Sequence, residues 1–252
     1  AAEANLRRGN EFSREIEDTF HEAFGHQKLG LVLAYRGAWV EAEEELERAM
    51  RIFQEQSHVQ AQSVTAAYQS LRVLLLTRVG SLSPQADEGT RFAAARRALE
   101  LAEEDARTDY PVPRDFARAH WLLGAALRLA GDLDAAEGHL IEALTICRSI
   151  NLVDHEADIL LDRARLRRAQ GEADEGVRLA EEALVITERS GYVLQGVDVH
   201  LFLAEQAKDA GDAATALTLA RKARELATCD GPPDYTYKVA YDEAEAMLAR
   251  LE

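Results

Sequence analysis

Histidines, carboxylates and cysteines are the side chains of this 252-residue chain that could take part in chemistry. The nearest approach to a zinc site is the pair His21 and His26, because histidines on one helical face can share a metal ion. Their spacing is five residues, and at about 100° per residue the two side chains diverge by about 140° on a helix. Side chains that point so far apart cannot ligate one ion, so we predict no metal site.

Three histidines recur at one position of a longer pattern, eleven residues before a glycine in each case. They are His26, His120 and His200. One interpretation is a pH-sensitive row, because imidazole titrates near neutral pH. The other is a packing position at which imidazole replaces an aromatic ring. We favour packing, because neighbouring copies lie too far apart to form one ligand cluster.

Acidic runs are a second candidate, because paired carboxylates can act as general acid and base. The runs are 41–47, 103–105 and 181–182. They lie among apolar residues at helical spacing, with no histidine or cysteine partner nearby in sequence, which favours a solvated helix face. The chain also lacks the GxxxxGK[ST], GxGxxG and GxSxG motifs of phosphate binding and nucleophilic serine chemistry. We therefore expect no catalytic residues, no cofactor and a chain that is not an enzyme.

The charge balance narrows the classes of partner. The 45 acidic residues outnumber the 29 Lys and Arg residues, which gives a net charge of −16. Such a chain repels phosphate backbones and anionic lipids, so we expect neither nucleic acid nor membrane partners. Cys147 and Cys229 are too few for a disulfide framework, and a reducing cytoplasm is the expected location. The chain begins Ala1-Ala2-Glu3 without a signal peptide, as expected for a processed protein or a piece of a longer one.

A 40-residue repeat organises the helices that must position these side chains. Gly131, Gly171 and Gly211 are spaced 40 residues apart. A second set keeps the same interval and is formed by Asn151, Gly191 and Gly231. Glycine and asparagine tolerate the left-handed conformation that ends many helices. Apolar residues between these stop signals follow the i, i+3, i+4, i+7 spacing of amphipathic helices, so the pattern predicts pairs of helices joined by short turns.

The repeats predict an all-α chain that forms a single repeat domain over residues 1–252. It comprises an N-terminal helical segment, about five helical hairpins and a C-terminal capping helix. The segment covers residues 1–20, the hairpins cover 21–57, 58–107, 112–150, 151–190 and 191–230, and the capping helix covers 232–252. The longest loop is predicted at 80–87, inside the second hairpin.

Small residues at fixed places in each hairpin resemble the tetratricopeptide (TPR) repeat family, in a variant with 40 instead of about 34 residues per unit. The family favours a small residue in the middle of the first helix, a glycine before the turn, and two small residues in the second helix. Here these are Gly30, Gly37, Ala42 and Ala49; Gly124, Gly131, Ala136 and Ala143; Ala164, Gly171, Gly176 and Ala183; and Ala204, Gly211, Ala216 and Ala223. The resemblance implies a right-handed superhelix, an α-α solenoid, in which successive hairpins stack.

Two departures from the family pattern stand out. Histidines or leucine replace the aromatic residue expected early in the first helix. In the fourth hairpin, Arg163 and Arg167 take positions where apolar packing residues are expected. Buried arginines need counter-charges, so this substitution predicts local ion pairing or an irregular stack.

The tail from Cys229 to Tyr235, which leads into the capping helix, is similar to the end of repeat arrays on bacterial signal-transducing NTPases of the NACHT/STAND type. In such proteins the repeats sense a trigger or hold the motor domain inactive. The alternative is a generic capping helix that shields the last hairpin.

The resemblance also implies a binding groove, because the first helix of each hairpin lines the concave side of a TPR array. The family's groove positions give the predicted partner-binding residues Trp121, Arg128, Leu161, Arg165, Arg168, Leu201 and Lys208. Three of the cations are spaced 40 residues apart and run parallel to an apolar row, which favours an acidic or carboxylate-bearing partner segment. The alternative is that each cation only interacts with the dipole at the end of its helix.

The sequence therefore predicts a non-catalytic scaffold or sensor module that binds a protein or peptide segment. We expect it to be part of a bacterial regulatory or signalling protein. The alternatives are a receptor for a small signalling peptide enclosed by the superhelix and, third, an enzyme.

Overall fold

The computed structural model describes residues 2–79, 88–228 and 237–251, and these residues form twelve α-helices and no strand. The helices are α1 (Ala2–Glu15), α2 (Thr19–Tyr35), α3 (Trp39–Glu55), α4 (Val59–Arg78), α5 (Glu88–Thr108), α6 (Pro113–Ala130), α7 (Leu133–Ser149), α8 (Val153–Ala169), α9 (Ala173–Ser190), α10 (Val193–Asp209), α11 (Ala213–Ala227) and α12 (Lys238–Leu251). The predicted all-α solenoid of helical repeats is confirmed. The predicted loop at 80–87 and the tail at 229–235 lie outside the described residues.

The chain divides into two compact units, residues 1–126 and residues 127–252. In the first unit, α2 packs against α3 and α4 packs against α5. In the second unit, α8 packs against α9, α10 packs against α11, and α12 covers α11. The pairs α2–α3, α4–α5, α8–α9 and α10–α11 are helical hairpins of the repeat, and α12 is the helix that follows the last of them. A single repeat domain over residues 1–252 stays a prediction.

Residues of the 40-residue repeat lie where helices end. Gly131, Gly171 and Gly211 have φ values of +87°, +85° and +82°, and Asn151 has a φ of +54°. A residue with a Cβ atom is strained in this left-handed region, whereas glycine adopts it freely. The N–H group of Gly171 donates to the carbonyl of Arg168 at 3.0 Å, which satisfies one of the last free carbonyls of α8. These stop signals therefore end helices as predicted.

Acidic residues after the glycines begin the next helices. Asp132 and Asp212 accept hydrogen bonds from the backbone N–H groups three residues later, at 3.2 and 3.0 Å. Each carboxylate thus satisfies one of the free donors at the start of its helix. Glu172 stands at the same repeat position and makes no such bond. Its side chain is one methylene longer, which explains why glutamate is a poorer cap.

Alanine and leucine supply most of the core. On α7, Ala136, Leu140, Ala143 and Leu144 follow the i, i+4, i+7, i+8 spacing of an amphipathic helix, and all four are buried. This spacing places one stripe of the helix against its neighbours and leaves the other side for charged residues. No helix in the described ranges has both the length and the apolar composition needed to cross a membrane.

Glycines allow helices to approach closely within hairpins. A Cβ atom built on Gly30 would lie 2.6 Å from Cγ of Leu46, and one built on Gly176 would lie 2.9 Å from the backbone oxygen of Ala164. Real Cβ atoms almost never come so close to another heavy atom. The small residues that suggested the family therefore pack where helices touch.

The arginines of the fourth hairpin have different surroundings. Arg167 contacts Glu137 of α7 through both terminal nitrogens and donates to Oε1 of Gln170 at 2.7 Å. The hydrogen bond from Arg167 lowers the pKa of Glu137. Arg163 is half-buried, and burial lowers the pKa of its guanidinium. Arg167 thus makes the local ion pairing that the sequence led us to expect.

Candidate functional site

The apolar part of the predicted site is buried. Trp121, Leu161 and Leu201 are only 8%, 2% and 6% exposed. Side chains at this depth stabilise the repeats and offer little area to a partner. Trp121 belongs to the first unit, whereas the other six predicted residues belong to the second.

Two of the predicted cations share one buried carboxylate, in a group that we term the central ion cluster: Arg128, Asp162 and Arg165. Arg128 Nη2 and Arg165 Nη1 both donate to Asp162 Oδ1, at 3.3 and 3.2 Å. Asp162 is 5% exposed, and burial lowers the pKa of Arg128 while Asp162 opposes that shift. Arg128 Nε is buried and has no hydrogen-bond partner in the described part of the chain. Arg128 therefore has a structural role, because it joins the last turn of α6 to α8 within the second unit.

The other two predicted cations lie on the surface, at what we term the Arg168–Lys208 end. Arg168 donates to Glu205 at 2.6 Å and to Asp209 at 2.7 Å. All of these side chains are exposed, and exposed ion pairs contribute only about 0 to 1 kcal/mol each. Lys208 is exposed, and no acid of residues 2–79, 88–228 or 237–251 lies within ion-pair distance of it. These two cations remain accessible to a partner.

Carboxylates gather at the opposite end of the same helices, in a group that we term the acidic end: Asp158, Gln195, Asp198 and Tyr237. Gln195 Nε2 of α10 donates to Asp158 Oδ2 of α8 at 3.3 Å. The hydroxyl of Tyr237, which is fully buried, lies 2.9 and 2.8 Å from the two carboxylate oxygens of Asp198. Burial raises the pKa of Asp158 well above its ordinary value, and nearby Asp198 and Asp162 raise it further.

These groups lie along α8 and α10, and we term them together the polar face. Its members are Asp158, Asp162, Arg165, Arg168, Gln195, Asp198, Glu205, Lys208 and Asp209. Hydrogen bonds join α8 to α10 at both ends of this face. The face thus has carboxylates at one end, the central ion cluster in the middle, and accessible cations at the other end.

The acidic end was missed by the sequence analysis, although a signal existed. Asp158 and Asp198 are 40 residues apart, each thirteen residues before a glycine of the repeat. A recurring carboxylate on the first helix of two successive hairpins occupies one register, as the cations do. The groove positions of the family lie closer to the glycine, so the resemblance does not indicate these carboxylates.

Replacing Asp158 with asparagine is expected to raise the free energy of unfolding at pH 7 by on the order of 1 kcal/mol. Asparagine keeps an oxygen that accepts from Gln195 and removes the half-buried charge. A carboxyl whose pKa is raised by folding destabilises the folded state above that pKa, and the penalty vanishes below its unfolded pKa of about 3.9. The gain should therefore shrink as the pH falls towards about 4. Urea denaturation between about pH 4 and pH 8 measures it.

The matched control is Glu181→Gln, which removes an exposed carboxylate from α9. Its stability should stay within about 0.5 kcal/mol of the wild type at every pH. Loss of stability at pH 7 in the Asp158 variant would contradict the assigned penalty.

The histidine register has mainly structural surroundings. His26 and His200 are 4% and 7% exposed, as the packing interpretation predicts, and His120 is half-buried. His26 contacts Glu45, whereas His200 Nδ1 lies 2.7 Å from the carbonyl oxygen of Gly196. His21 is exposed and lies 2.7 Å from Asp18, so the two histidines of the candidate zinc pair face different surroundings. In the described part of the chain no three metal-ligating side chains converge.

Cys147 is a buried thiol without access to solvent. Its Sγ atom donates to the carbonyl of Leu152 at 2.8 Å. Burial and nearby carboxylates raise its pKa to about 12. A thiol that stays protonated and buried is a poor nucleophile. Cys229 lies outside the described residues.

Comparisons with known proteins support the repeat architecture. Residues 115–189 match the family model described as tetratricopeptide repeat. The crystal structure of BtubC (BKLC) from P. vanneervenii is similar to this chain with a TM-score of 0.50 and 17% identity, over 99% of this chain and 87% of that one. At this identity the likeness shows the fold alone. No curated protein matches the chain.

Proposed function

We propose that the chain is a non-catalytic module that binds a protein or peptide segment, because residues 115–189 match the tetratricopeptide repeat model. TPR domains generally bind proteins or peptides, and the repeat fold is typically a non-catalytic scaffold. We place the docking site on the polar face of the second unit. The partner segment carries a carboxylate that binds at the Arg168–Lys208 end.

The observation behind this assignment is that the charged groups of the polar face destabilise the folded chain. Half-buried carboxylates and guanidinium groups lose hydration, and well-packed apolar residues at the same positions are often as stable or more stable. Asp158 and Arg128 both have pKa values shifted by burial in the direction that disfavours their charge. Charged groups kept in spite of this penalty, and lined up on two adjacent helices, are expected where a partner binds.

The existing contacts of each cation indicate where a partner carboxylate can bind. Arg128 and Arg165 are held by Asp162 inside the fold, so they are poor first contacts for a partner. Arg168 and Lys208 are exposed on adjacent helices. A carboxylate from a partner can replace one of the weak exposed pairs of Arg168 and gain Lys208 as well. Charge-assisted hydrogen bonds of this kind are the stronger ones in proteins.

Binding to synthetic peptide pools tests the proposal. The probes are hexapeptides with both termini blocked, random at five positions, with either glutamate or glutamine at the last position. We expect the immobilised chain to retain the glutamate pool about tenfold better than the glutamine pool. The double variant Arg168→Glu and Lys208→Glu should abolish this preference and leave the helical content unchanged.

Reversal of two outer cations provides the matched control. Arg178→Glu and Lys222→Glu change the net charge equally on α9 and α11, where each residue makes one exposed pair within its helix. This control should keep the preference for glutamate. Equal retention of both pools by the wild type would refute the carboxylate site. Reversal at Arg128, in contrast, would report on folding, because its partner Asp162 is buried.

For the cellular context, we propose a regulatory or signalling protein of the bacterial cytoplasm. The tail resembling signal-transducing NTPases supports a role as the sensing or inhibiting array of a switch protein. The second candidate is a receptor for a free signalling peptide. It is supported by the short span of the polar face, because Asp158 and Arg168 are ten positions apart on α8, which is about 15 Å of helix. The complete gene distinguishes them, since an upstream GxxxxGK[ST] motif indicates the switch protein.

A further inference from the structure

The outer side of α1 carries two large apolar side chains that are mostly exposed. Phe12 and Ile16 are 60% and 56% exposed. They are four residues apart, and the N–H group of Ile16 donates to the carbonyl of Phe12 at 3.1 Å, so Ile16 continues the last turn of α1 on the same side. Gly9 lies on this side as well, and a Cβ atom built there meets nothing within 4 Å. This side of α1 therefore presents apolar area next to an open space.

The charged residues of α1 differ between its inner and outer sides. Glu3, Arg7 and Arg14 lie towards α2 and α3, and each of them forms an ion pair within the fold. Arg8 and Glu15 lie beside the exposed apolar side chains. Neither of these two side chains has a hydrogen-bond or ion-pair partner among residues 2–79, 88–228 and 237–251. The fold thus pairs the inner charges and leaves the outer pair available to another molecule.

The outer side of α1 is complementary to a reversed copy of itself. When two α1 helices pack antiparallel about a two-fold axis near Phe12, Arg8 of each copy lies at the level of Glu15 of the other. Both residues lie on the same flank of Phe12, about 40° and 60° from it around the helix, so opposite charges meet at two places. Ile16 of each copy then reaches the open space beside Gly9 of the other. A parallel pair would instead place like charges at the same level.

We infer that two copies of this chain associate through α1, in an antiparallel pair with Phe12 of each copy at the centre. Burial of Phe12 and Ile16 drives the contact, and the two pairs between Arg8 and Glu15 set its direction. A contact between two helices of 14 residues is small for a specific interface, and the net charge of −16 opposes association. The dimer is therefore reversible and forms at high protein concentration. The inference does not depend on the proposed carboxylate site, which lies in the second unit.

Sedimentation equilibrium of the full chain, from about 10 μM to about 1 mM, tests the association. We expect the wild type to pass from monomer to dimer in this range. The double variant Phe12→Gln and Ile16→Gln should weaken the dimer at least about tenfold and keep its helical content, because both side chains are exposed. The matched control is Val40→Gln, which removes a side chain on α3 that is 72% exposed and should leave the dimer unchanged. A wild type that stays monomeric throughout, or an equal loss in the control, overturns the inference.

Charge reversal tests the antiparallel direction. Arg8→Glu and Glu15→Arg each bring like charges together, so each single variant should dimerise about tenfold more weakly than the wild type. An equimolar mixture of the two single variants should recover association, because opposite charges then meet at both places. The double variant Arg8→Glu and Glu15→Arg should recover it as well. If neither recovers, the antiparallel pair is wrong. None of these changes should alter the preference for the glutamate pool, whose loss in the wild type would instead count against the proposed function.

Discussion

An Asp162→Ala variant is expected to lose about 3 to 5 kcal/mol of the free energy of unfolding. The carboxylate is 5% exposed and accepts from both Arg128 and Arg165. Its removal leaves the guanidinium of Arg128 in a site where burial already lowers the pKa of that group. A buried charge without its partner is among the most destabilising changes in a folded protein. Urea denaturation followed by circular dichroism measures the loss.

Two companion variants distinguish charge from size. Asp162→Asn keeps the shape and one acceptor oxygen, so its loss should be smaller than that of alanine. The double variant Arg128→Met and Asp162→Leu removes both charges and fills the space, and its stability should return close to the wild type. Glu181→Ala, on an exposed face of α9, should change stability by no more than about 0.5 kcal/mol. If alanine at position 162 were equally harmless, the central ion cluster would not stabilise the second unit.

A Gly176→Val variant is expected to lose about 3 kcal/mol of the free energy of unfolding. The Cβ atom alone would lie 2.9 Å from the backbone oxygen of Ala164, and a backbone atom cannot move aside as a flexible side chain can. The two helices α8 and α9 must therefore separate, which opens the core of the hairpin. Thermal or urea denaturation gives the size of the effect.

Gly138→Val is the matched control, because it makes the same substitution inside α7. A Cβ atom at position 138 meets nothing within 4 Å. Glycine is a poor helix former, so this variant should be as stable as the wild type or more stable by a few tenths of a kcal/mol. A similar loss at both glycines would show that valine itself, and not the close approach of α8 and α9, is responsible.

Much of the fold could be predicted from the chain because its turns use local chemistry. Gly131, Gly171 and Gly211 end helices for a reason that concerns one residue at a time, the freedom to adopt a positive φ. The capping bonds of Asp132 and Asp212 span three residues and are equally local. Periodic stops of this kind predict helix pairs without any knowledge of the packing.

The site was predicted less completely because its properties depend on neighbours distant in sequence. The groove pattern contains the cation at position 128, but its pairing with Asp162, 34 residues later, arises only when the last turn of α6 lies against α8. Leu161 and Leu201 are likewise buried and offer little area to a partner, although the groove pattern predicted them as contact residues. Asp158 has an unusual environment because α10 packs beside it. No single-helix pattern contains that information.

Arg168 already pairs with Glu205 and Asp209. Binding of a partner carboxylate is therefore an exchange of ion pairs. An arriving carboxylate displaces one that is already present, so the number of ion pairs changes little. Selectivity then comes from the fit of the whole segment more than from the gain of any one pair. Because each displaced pair reforms when the partner leaves, release is not opposed by an exposed, unsatisfied charge. Such a surface suits rapid, reversible and salt-sensitive encounters better than a permanent assembly.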